Sequence, residues 1–325
     1  MNDNFTRLKK SIVLFCNAYG LKEFYLLLKY YRFSLTGSGK KPMLISMVDN
    51  RRKGKGLTDR FKGIVSVYAL SKIEKVPYRC IYNHPCQLTD FLEPNEYNWI
   101  PRDGELGETI MDVRLKLLRK QRKVRRLLKA LPVKKQMRVY ANMDYLEEIN
   151  RIYHTNYQWG TLFHELFKPT RELEDQLQFH QNKLGTNGYN ACVFRFQAML
   201  GDFKEYQFKP LPEAERRQLI HTNKEALMQL VKKSDLPVLV TSDSTTFLSE
   251  IRDLKNVYTI PGRVVHIDNA ANEAGEVYMK SFVDFLMLSR AQCVYGMGTR
   301  NMYQTDFPRF AAKINNVPFE RVIID

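Results

Sequence analysis

The sequence predicts an α/β protein with parallel, doubly wound sheets. In its second half, short apolar strands alternate with helical segments, which is the pattern of parallel strands joined by crossover helices. In its first half, a glycine-rich loop and a helical pattern at 59–73 separate the apolar segments 43–48 and 78–82. The length of 325 residues suggests two such domains, which we place at residues 1–165 and 166–325.

The beginning of the chain, residues 5–34, predicts one or two basic amphipathic helices. Apolar residues such as Leu21, Phe24 and Leu28 recur at helical spacing, and lysine and arginine dominate the polar positions. Such a helix can lie on an anionic membrane or pack on its own domain, and the sequence leaves both interpretations open.

The loop at 49–63 is rich in glycine and basic residues. It lacks the Gly-Lys-Ser/Thr ending of a phosphate-binding loop, and it does not fit the dinucleotide-binding pattern. It is therefore either a tight turn or a place where a ligand approaches the start of a helix.

A second long basic helix is predicted over residues 108–131. From Arg114 to Lys129, nine of sixteen residues are lysine or arginine and none is acidic. The two interpretations are a solvated face and a surface that docks on phosphate-rich lipid or polymer.

The second half divides into elements with clear bounds. Strands are predicted at 190–196, 237–244, 257–259, 264–266, 292–295 and 322–324. Helices are predicted at 170–183, 213–232, 245–254, 276–289 and 306–314, with a loop at 296–304.

Composition limits the classes of function. The formal charge of +16 indicates an anionic partner. The five cysteines form no Cys-x-x-Cys pair, which favours a reducing compartment, so we expect a cytoplasmic protein. The histidines lack metal-ligand spacing and there is no paired-acid motif, so neither a metal nor a cofactor is expected. We also expect no secretory signal and no transmembrane helix.

Arg195, at the end of the strand 190–196, is the leading candidate for a functional residue. Arginine is rarely buried without a partner, and its planar fork suits phosphate or carboxylate. Ligands of open α/β sheets bind at the carboxyl ends of the strands. The alternative is an internal arginine–carboxylate pair.

Two further strand ends carry polar residues that would share this edge. Asp243 and Ser244 follow one strand, and Thr305, Asp306 and Phe307 begin a helix after another. Together with Arg195 they could hold a nucleotide diphosphate through guanidinium, backbone N–H groups and a helix amino terminus. The alternative for Thr305, Asp306 and Asp243 is helix capping.

The order of these motifs resembles the fucosyltransferase superfamily, which includes α1,2-, α1,6-, protein O- and nodulation fucosyltransferases. The resemblance covers roughly residues 43–315. It rests on the glycine-loop helix at 56–72, the strand motif Val193-Phe-Arg-Phe-Gln197, the strand end at 240–244, and the segments 281–296 and 305–312.

This resemblance implies two facing Rossmann-like domains, the glycosyltransferase B architecture. It implies metal-independent, inverting transfer from GDP-fucose, with Arg195 stabilising the departing diphosphate. Residues Asp243, Ser244, Thr305, Asp306 and Phe307 would contact the nucleotide, and Gly56, Asp59 and Arg60 would face the cleft. Val193 stands where the family usually has a histidine, and Phe196 where some members have a second arginine.

An acceptor hydroxyl needs at most a weak general base, for which Asp202, Asp59 and Glu205 are the candidates. Asp202 ranks first because it follows Arg195 closely, and its alternative role is that of a turn residue after Gly201. The expected partners are a nucleotide sugar, a glycan or lipid-linked acceptor, and an anionic membrane surface bound through the helices 5–34 and 108–131. Other nucleotide sugars, or a basic nucleic-acid-binding protein, are the alternatives.

Overall fold

The computed structural model describes residues 21–52, 56–118, 124–202, 210–263 and 276–325. The strands are β1 Met43–Val48, β2 Tyr78–Tyr82, β3 Leu92–Pro94, β4 Val113–Leu118, β5 Gln136–Ala141, β6 Phe167–Pro169, β7 Asn190–Phe194, β8 Val238–Ser242, β9 Val257–Tyr258, β10 Val294–Thr299 and β11 Phe319–Ile324. The helices are α1 Lys22–Tyr30, α2 Leu57–Glu74, α3 Val124–Leu128, α4 Leu146–Tyr153, α5 Trp159–Leu166, α6 Arg171–Leu184, α7 Glu213–Lys232, α8 Thr245–Ile251, α9 Glu276–Ser289 and α10 Phe307–Ile314.

The chain divides into two compact units. The first contains Met1–Lys55, Asp59–His84 and Glu96–Gln158, and the second contains Gly56–Thr58, Pro85–Asn95 and Trp159–Asp325. The main division therefore falls after Gln158, close to the predicted boundary at 165, but two short segments from the first half belong to the second unit.

The first unit is built on a parallel sheet with the order β2-β1-β5-β4. Helix α1 packs on one face of this sheet through Leu26, with apolar residues of β1 and β4 beneath it. None of the helices in the described ranges is both long and apolar enough to span a bilayer.

The predicted helix at 108–131 is wrong. Residues 113–118 form β4, which pairs with β5, and the described helix in this region is α3, Val124–Leu128. Val113, Leu115 and Leu117 are buried, whereas Arg114 is exposed and Lys116 is half-buried. This alternation has the two-residue period of a strand, and sheet pairing overrides the helical propensity of leucine, lysine and arginine.

The second unit has a parallel sheet with the order β11-β10-β7-β8-β9. This confirms the predicted α/β class with parallel sheets. Helices α7 and α9 begin and end where the sequence predicts, and α6 is capped by Thr170 and ends at Gly185, which has a positive φ of 88°. Three predictions lie wholly or partly outside the described residues: the strand at 264–266, the candidate base Glu205, and residues 5–20 of the helical region 5–34.

The predicted loop at 296–304 is also wrong at its start, because Gly296 to Thr299 continue β10. A Cβ atom at Gly296 would lie 3.4 Å from ring carbons of Phe319 on the neighbouring strand. A Cβ atom at Gly298 would lie 3.2 Å from the sulfur of Met302. These glycines therefore allow close packing within a strand, where the sequence analysis interpreted them as a turn.

A short antiparallel pair, β3 with β6, joins a segment of the first half to the second unit. The Phe91 ring stacks on Phe282 of α9 with ring centroids 4.2 Å apart. The backbone N–H of Thr170 donates to the carbonyl of Phe91, which fixes the start of α6 beside this pair.

Candidate functional site

The order of strands in the second unit defines one place where a ligand is expected. From β7 the chain continues to β8 on one side and later to β10 on the other, so the strand order reverses between β7 and β10. Ligands of open α/β sheets bind outside the carboxyl ends of the strands at such a switch point. The three strand ends that the sequence analysis grouped together are therefore neighbours in the sheet.

Arg195 is the first residue after β7, at this switch point. Its Nη1 lies 2.8 Å from Oδ2 of Asp243, and its side chain is 19% exposed. The register explains this contact, since Phe194 pairs with Ser242 and the next residue of each strand lies alongside. The internal ion pair is therefore present, and the Arg195 side chain is also partly exposed to solvent.

Asp243 holds the turn that carries this arginine. Its two carboxylate oxygens each accept a backbone N–H at 2.7 Å, from Phe196 and Gln197. Gln197 has a φ of 54°, a conformation that few residues with side chains adopt, and the Asp243 contact helps to hold it. Burial raises the pKa of Asp243, while Arg195 and the two backbone donors act in the opposite direction. These contacts give Asp243 the geometry of a residue that positions Arg195.

Asp202 lies at the start of α8 and binds several of its first residues. Its carboxylate accepts hydrogen bonds from the hydroxyls of Ser244, Thr245 and Thr246 at 2.6 to 2.8 Å. The Thr246 N–H donates at 2.9 Å, and Ser244 Oγ caps the helix by accepting from Phe247. Burial raises the pKa of Asp202, but these hydrogen bonds outweigh it and the pKa is lowered. A carboxylate with so many donors is a weak base, so the geometry favours the structural alternative for Asp202 and a capping role for Ser244.

The segment Thr305 to Phe307 begins α10, beyond the carboxyl end of β10. Thr305 Oγ1 accepts from the Phe307 N–H at 3.2 Å, and Arg321 donates to the Thr305 carbonyl at 3.0 Å. Asp306 is the residue before the helix, without a side-chain capping bond, and its carboxylate lies 3.9 Å from Arg309. The Phe307 ring contacts Phe285 with centroids 5.1 Å apart. This helix start therefore has ordered local contacts at the edge that also carries Arg195.

Three predicted site residues, Gly56, Asp59 and Arg60, come from the first half of the chain. In the first unit, Arg60 is buried and donates to the Tyr82 hydroxyl at 2.9 Å and to the His84 carbonyl at 2.8 Å. Asp59 lies 3.2 Å from Lys62. Gly56 belongs to the second unit, and a Cβ atom there would meet open space. Arg60 thus has structural partners, and the predicted ligand contacts of all three stay predictions.

The sequence analysis missed the two networks that hold the site. It did not predict that Asp243 binds the backbone after β7, or that Asp202 binds the hydroxyl residues 244–246. The available signal was the Ser-Thr-Thr run at the start of a helix, which is typical of a capping site.

Comparisons of the coordinates with solved structures identify similar proteins. A structure of FUT1 from Arabidopsis thaliana, a mutant in complex with GDP, matches with a TM-score of 0.58 and 11% identity, covering 94% of this chain and 74% of that chain. The α-1,6-fucosyltransferase NodZ soaked with GDP-fucose matches with a TM-score of 0.52 and 13% identity, covering 85% of this chain and 93% of that chain. A further NodZ structure, from Bradyrhizobium, has a TM-score of 0.52 and 13% identity, covering 84% of this chain and 92% of that chain.

The chain has the fold of these fucosyltransferases. The match extends over most of both chains, so it includes both units and not only a common nucleotide-binding sheet. No protein-family model matches the sequence, and no curated protein matches it either. The fold that the motif order implies is therefore confirmed, at 11% and 13% sequence identity.

Proposed function

We propose that this protein is an inverting glycosyltransferase that moves fucose from GDP-fucose to a hydroxyl of a glycan or lipid-linked acceptor. One observation carries the proposal. Arg195, in the motif that resembles the fucosyltransferases, lies at the switch point of the second sheet in a chain with the fucosyltransferase fold. The complex of one similar protein with GDP, and the soaking of another with GDP-fucose, support a GDP-linked donor.

In the proposed reaction, the acceptor oxygen bonds to the anomeric carbon of fucose on the face opposite the nucleotide. The bond from that carbon to the β-phosphate oxygen breaks, and GDP leaves with the electron pair. The sugar passes through an oxocarbenium-like state, so negative charge grows on the diphosphate. Arg195 stabilises that charge where it develops, and Asp243 keeps the arginine oriented before the donor arrives.

The acceptor hydroxyl must transfer its proton to a base. Asp202 is a poor candidate for this base because it already accepts several hydrogen bonds. Asp59 is the other predicted base in the described chain, with a side chain that is 36% exposed. The proposal also includes metal independence and nucleotide contacts from Thr305, Asp306 and Phe307. It further includes contact of α1 with an anionic membrane through Lys22 and Lys29.

A ligand panel tests the donor. Thermal unfolding is measured in EDTA with GDP, UDP, CMP and their sugars, since a ligand that binds only the folded state raises the melting temperature. We expect GDP and GDP-fucose to stabilise the protein most. A higher melting temperature with UDP or CMP compounds alone would mean that the donor is a nucleotide sugar other than GDP-fucose, which is the alternative function. A shift with GDP that appears only when Mg²⁺ replaces EDTA would refute metal independence.

Arg195→Lys tests the role of the arginine in the same assay. Lysine keeps the charge beside Asp243 but lacks the planar fork that binds a diphosphate through two N–H groups. We expect this variant to fold and to lose most of the GDP-induced shift. An unchanged shift would mean that Arg195 is only the partner of Asp243.

A further inference from the structure

The first unit has its own switch point, and an arginine-rich cluster lies there. The chain passes from β1 to β2 on one side, and β5 lies on the other side of β1, so the strand order reverses between β1 and β5. Asp49 directly follows β1, and Tyr140 is the second-last residue of β5. The Tyr140 hydroxyl lies 3.1 Å from both carboxylate oxygens of Asp49, which shows that the two strand ends meet.

Arg51 is held in place at this edge. Its Nε lies 3.7 Å from Asp49 Oδ2, and its Nη1 donates to the Tyr31 hydroxyl at 3.1 Å. The guanidinium carbon also lies 5.0 Å from the ring centroid of Tyr30 and 5.4 Å from that of Tyr31. The side chain remains 31% exposed. A guanidinium that is fixed by two aromatic rings and still reaches solvent is preorganised to bind an anion.

Arg138 adds a second, buried cation. It is 6% exposed, and it points to the same side of the sheet as its register partners Ile45 and Leu115, which are buried. Its Nη2 donates to the Gly107 carbonyl at 2.7 Å, and the guanidinium lies 4.9 Å from the Tyr31 ring centroid. Within the described ranges its Nε has no hydrogen-bond partner and no carboxylate is paired with it.

Arg52, the next residue, contacts this edge through its backbone N–H, which donates to the Asp49 carbonyl at 3.5 Å. Against Arg51 and Arg138, the carboxylate bound into the cluster is Asp49, whose oxygens are shared with Tyr140 and the Arg51 backbone N–H. A buried cation without a carboxylate, such as Arg138, is costly for a folded protein. An excess of arginine at a switch point is therefore better explained by an anionic ligand than by stability.

We infer that Asp49, Arg51 and Arg138, with Tyr31, form a site for an anionic group in the first unit, and that the group is a carboxylate or phosphate carried by an acidic glycan acceptor. Arg51 binds the anion. Tyr31 and Asp49 are positioning residues because they contact Arg51, and Arg138 lies against the Tyr31 ring and adds positive charge. The assignment to an acceptor rests on the proposed function, since a glycosyltransferase with its donor arginine in the second unit needs a second substrate.

Calorimetric titration with a glucuronate-bearing oligosaccharide and its carboxyl-reduced form tests the site. The reduced form keeps the sugar rings and loses only the charge. We expect the acidic form to bind at least roughly tenfold more tightly, since a charged hydrogen-bond partner is lost on reduction. Equal binding of the two forms would overturn the inference. Competition with inorganic phosphate separates the two anions: displacement favours a site that also accepts phosphate, and its absence limits the site to the carboxylate.

Matched variants locate the binding on the protein. Arg51→Gln should weaken binding of the acidic oligosaccharide by roughly tenfold. Arg32→Gln is the control, because it removes the same charge from an arginine that is 79% exposed, next to Tyr31 in sequence. An equal loss in Arg32→Gln would mean a general charge effect and would refute the site. Arg51→Lys, which keeps the charge, guards against a Gln variant that fails to fold, and a loss in this variant supports the planar contact.

GDP binding is measured on the same variants, and it separates the inference from the proposed function. Arg51→Gln should retain the GDP response of the unaltered chain. If the unaltered chain binds the acidic oligosaccharide but not GDP, the anion site stands and the proposed donor fails. If it binds GDP but neither the acidic oligosaccharide nor phosphate, the inference fails and the proposed donor stands.

Discussion

Two arginine–carboxylate pairs of the second unit have arginines of similar exposure, but Asp243 is buried whereas Glu174 is partly exposed. Arg290 binds Glu174 through two parallel contacts, Nη1 to Oε1 at 3.1 Å and Nη2 to Oε2 at 2.6 Å. Arg195 binds Asp243 at 2.8 Å, and both oxygens of Asp243 also accept backbone N–H groups. In the first pair, Glu174 lies in α6 and Arg290 in the connection that enters β10, whereas the second pair lies where β7 and β8 end.

The pKa values of the two carboxylates, Asp243 and Glu174, are shifted in opposite directions. Burial raises the pKa of Asp243, and the cation beside it does not reverse that shift. Burial also raises the pKa of Glu174, but the hydrogen bonds from Arg290 outweigh it and the net pKa is lowered. The Arg290 pair is therefore a typical structural salt bridge. In the Arg195 pair, the arginine lies beside a carboxylate whose burial costs free energy. Such an arrangement is expected where the arginine binds a ligand.

The largest expected difference between the pairs is in reaction rate. Arg195→Ala should lower the rate of donor cleavage by about 10²–10³-fold, the usual effect of losing a donor to developing negative charge. Arg290→Ala should leave the rate close to that of the unaltered protein. The measurement is release of the nucleotide from the sugar that the ligand panel selects. Equal losses in the two variants would show that Arg195 acts only through folding.

Stability should also separate the pairs. Arg195→Ala leaves Asp243 buried without its cation, which we expect to lower the free energy of unfolding by about 3 kcal/mol. Arg290→Ala leaves Glu174 partly exposed, and we expect a loss of about 1 kcal/mol. Urea unfolding followed by circular dichroism measures both. The double variant Arg195→Met with Asp243→Asn is the control, and it should recover part of the loss because no charge stays buried.

Acid sensitivity sharpens the contrast with Asp202, whose pKa is lowered in the fold. A carboxylate with a lowered folded pKa stabilises the protein above its unfolded pKa, and this stability is lost as the pH falls through the folded value. Between about pH 5 and pH 3, the unaltered protein should therefore lose more stability than Asp202→Asn. Urea midpoints across this range measure the difference. Parallel curves for the two proteins would show that Asp202 does not bind the start of α8 in solution.

The smallest effect concerns helix capping next to the site. Ser244→Ala removes the 3.0 Å bond to the Phe247 N–H and the 2.6 Å bond to Asp202, so a loss of about 1–2 kcal/mol is expected. Thr170→Ala removes a 3.4 Å capping bond at the start of α6 and should cost about 0.5 kcal/mol. Thermal unfolding compares the two variants. A larger loss at Thr170 would mean that the Asp202 network adds nothing to the cap.

Sequence analysis predicts those parts of the structure that depend on local patterns. Helices α7 and α9 are bounded correctly because capping signals and helical periodicity agree over long segments. Strand β4 was missed because its lysine and arginine content suggests a helix, although Val113, Leu115 and Leu117 alternate as in a strand. Pairing with β5 decides the conformation, and that pairing joins residues far apart in the sequence.

In the candidate site, too, local patterns predict some residues but not the contacts between distant parts of the chain. Arg195 could be selected from sequence because an arginine at the end of an apolar strand is unusual. Its contact with Asp243 depends on the register of β7 and β8, which no local pattern specifies. The sequence shows the arginine cluster around Asp49 only as a basic loop, because its partners are distant in the chain: Tyr31 directly follows α1 and Arg138 lies in β5.

The small β3–β6 pair has a consequence for how the protein is made. A ribosome delivers the chain amino terminus first, and domains tend to fold as they emerge. Leu92 to Pro94 must wait for Phe167 to Pro169, and Phe91 must wait for Phe282. The second unit therefore cannot be completed until most of the chain has been synthesised, and during that interval the Phe91 ring, which is buried in the finished fold, lacks its partner. Nascent chains that stop before residue 282 should accordingly be the ones that chaperones hold longest.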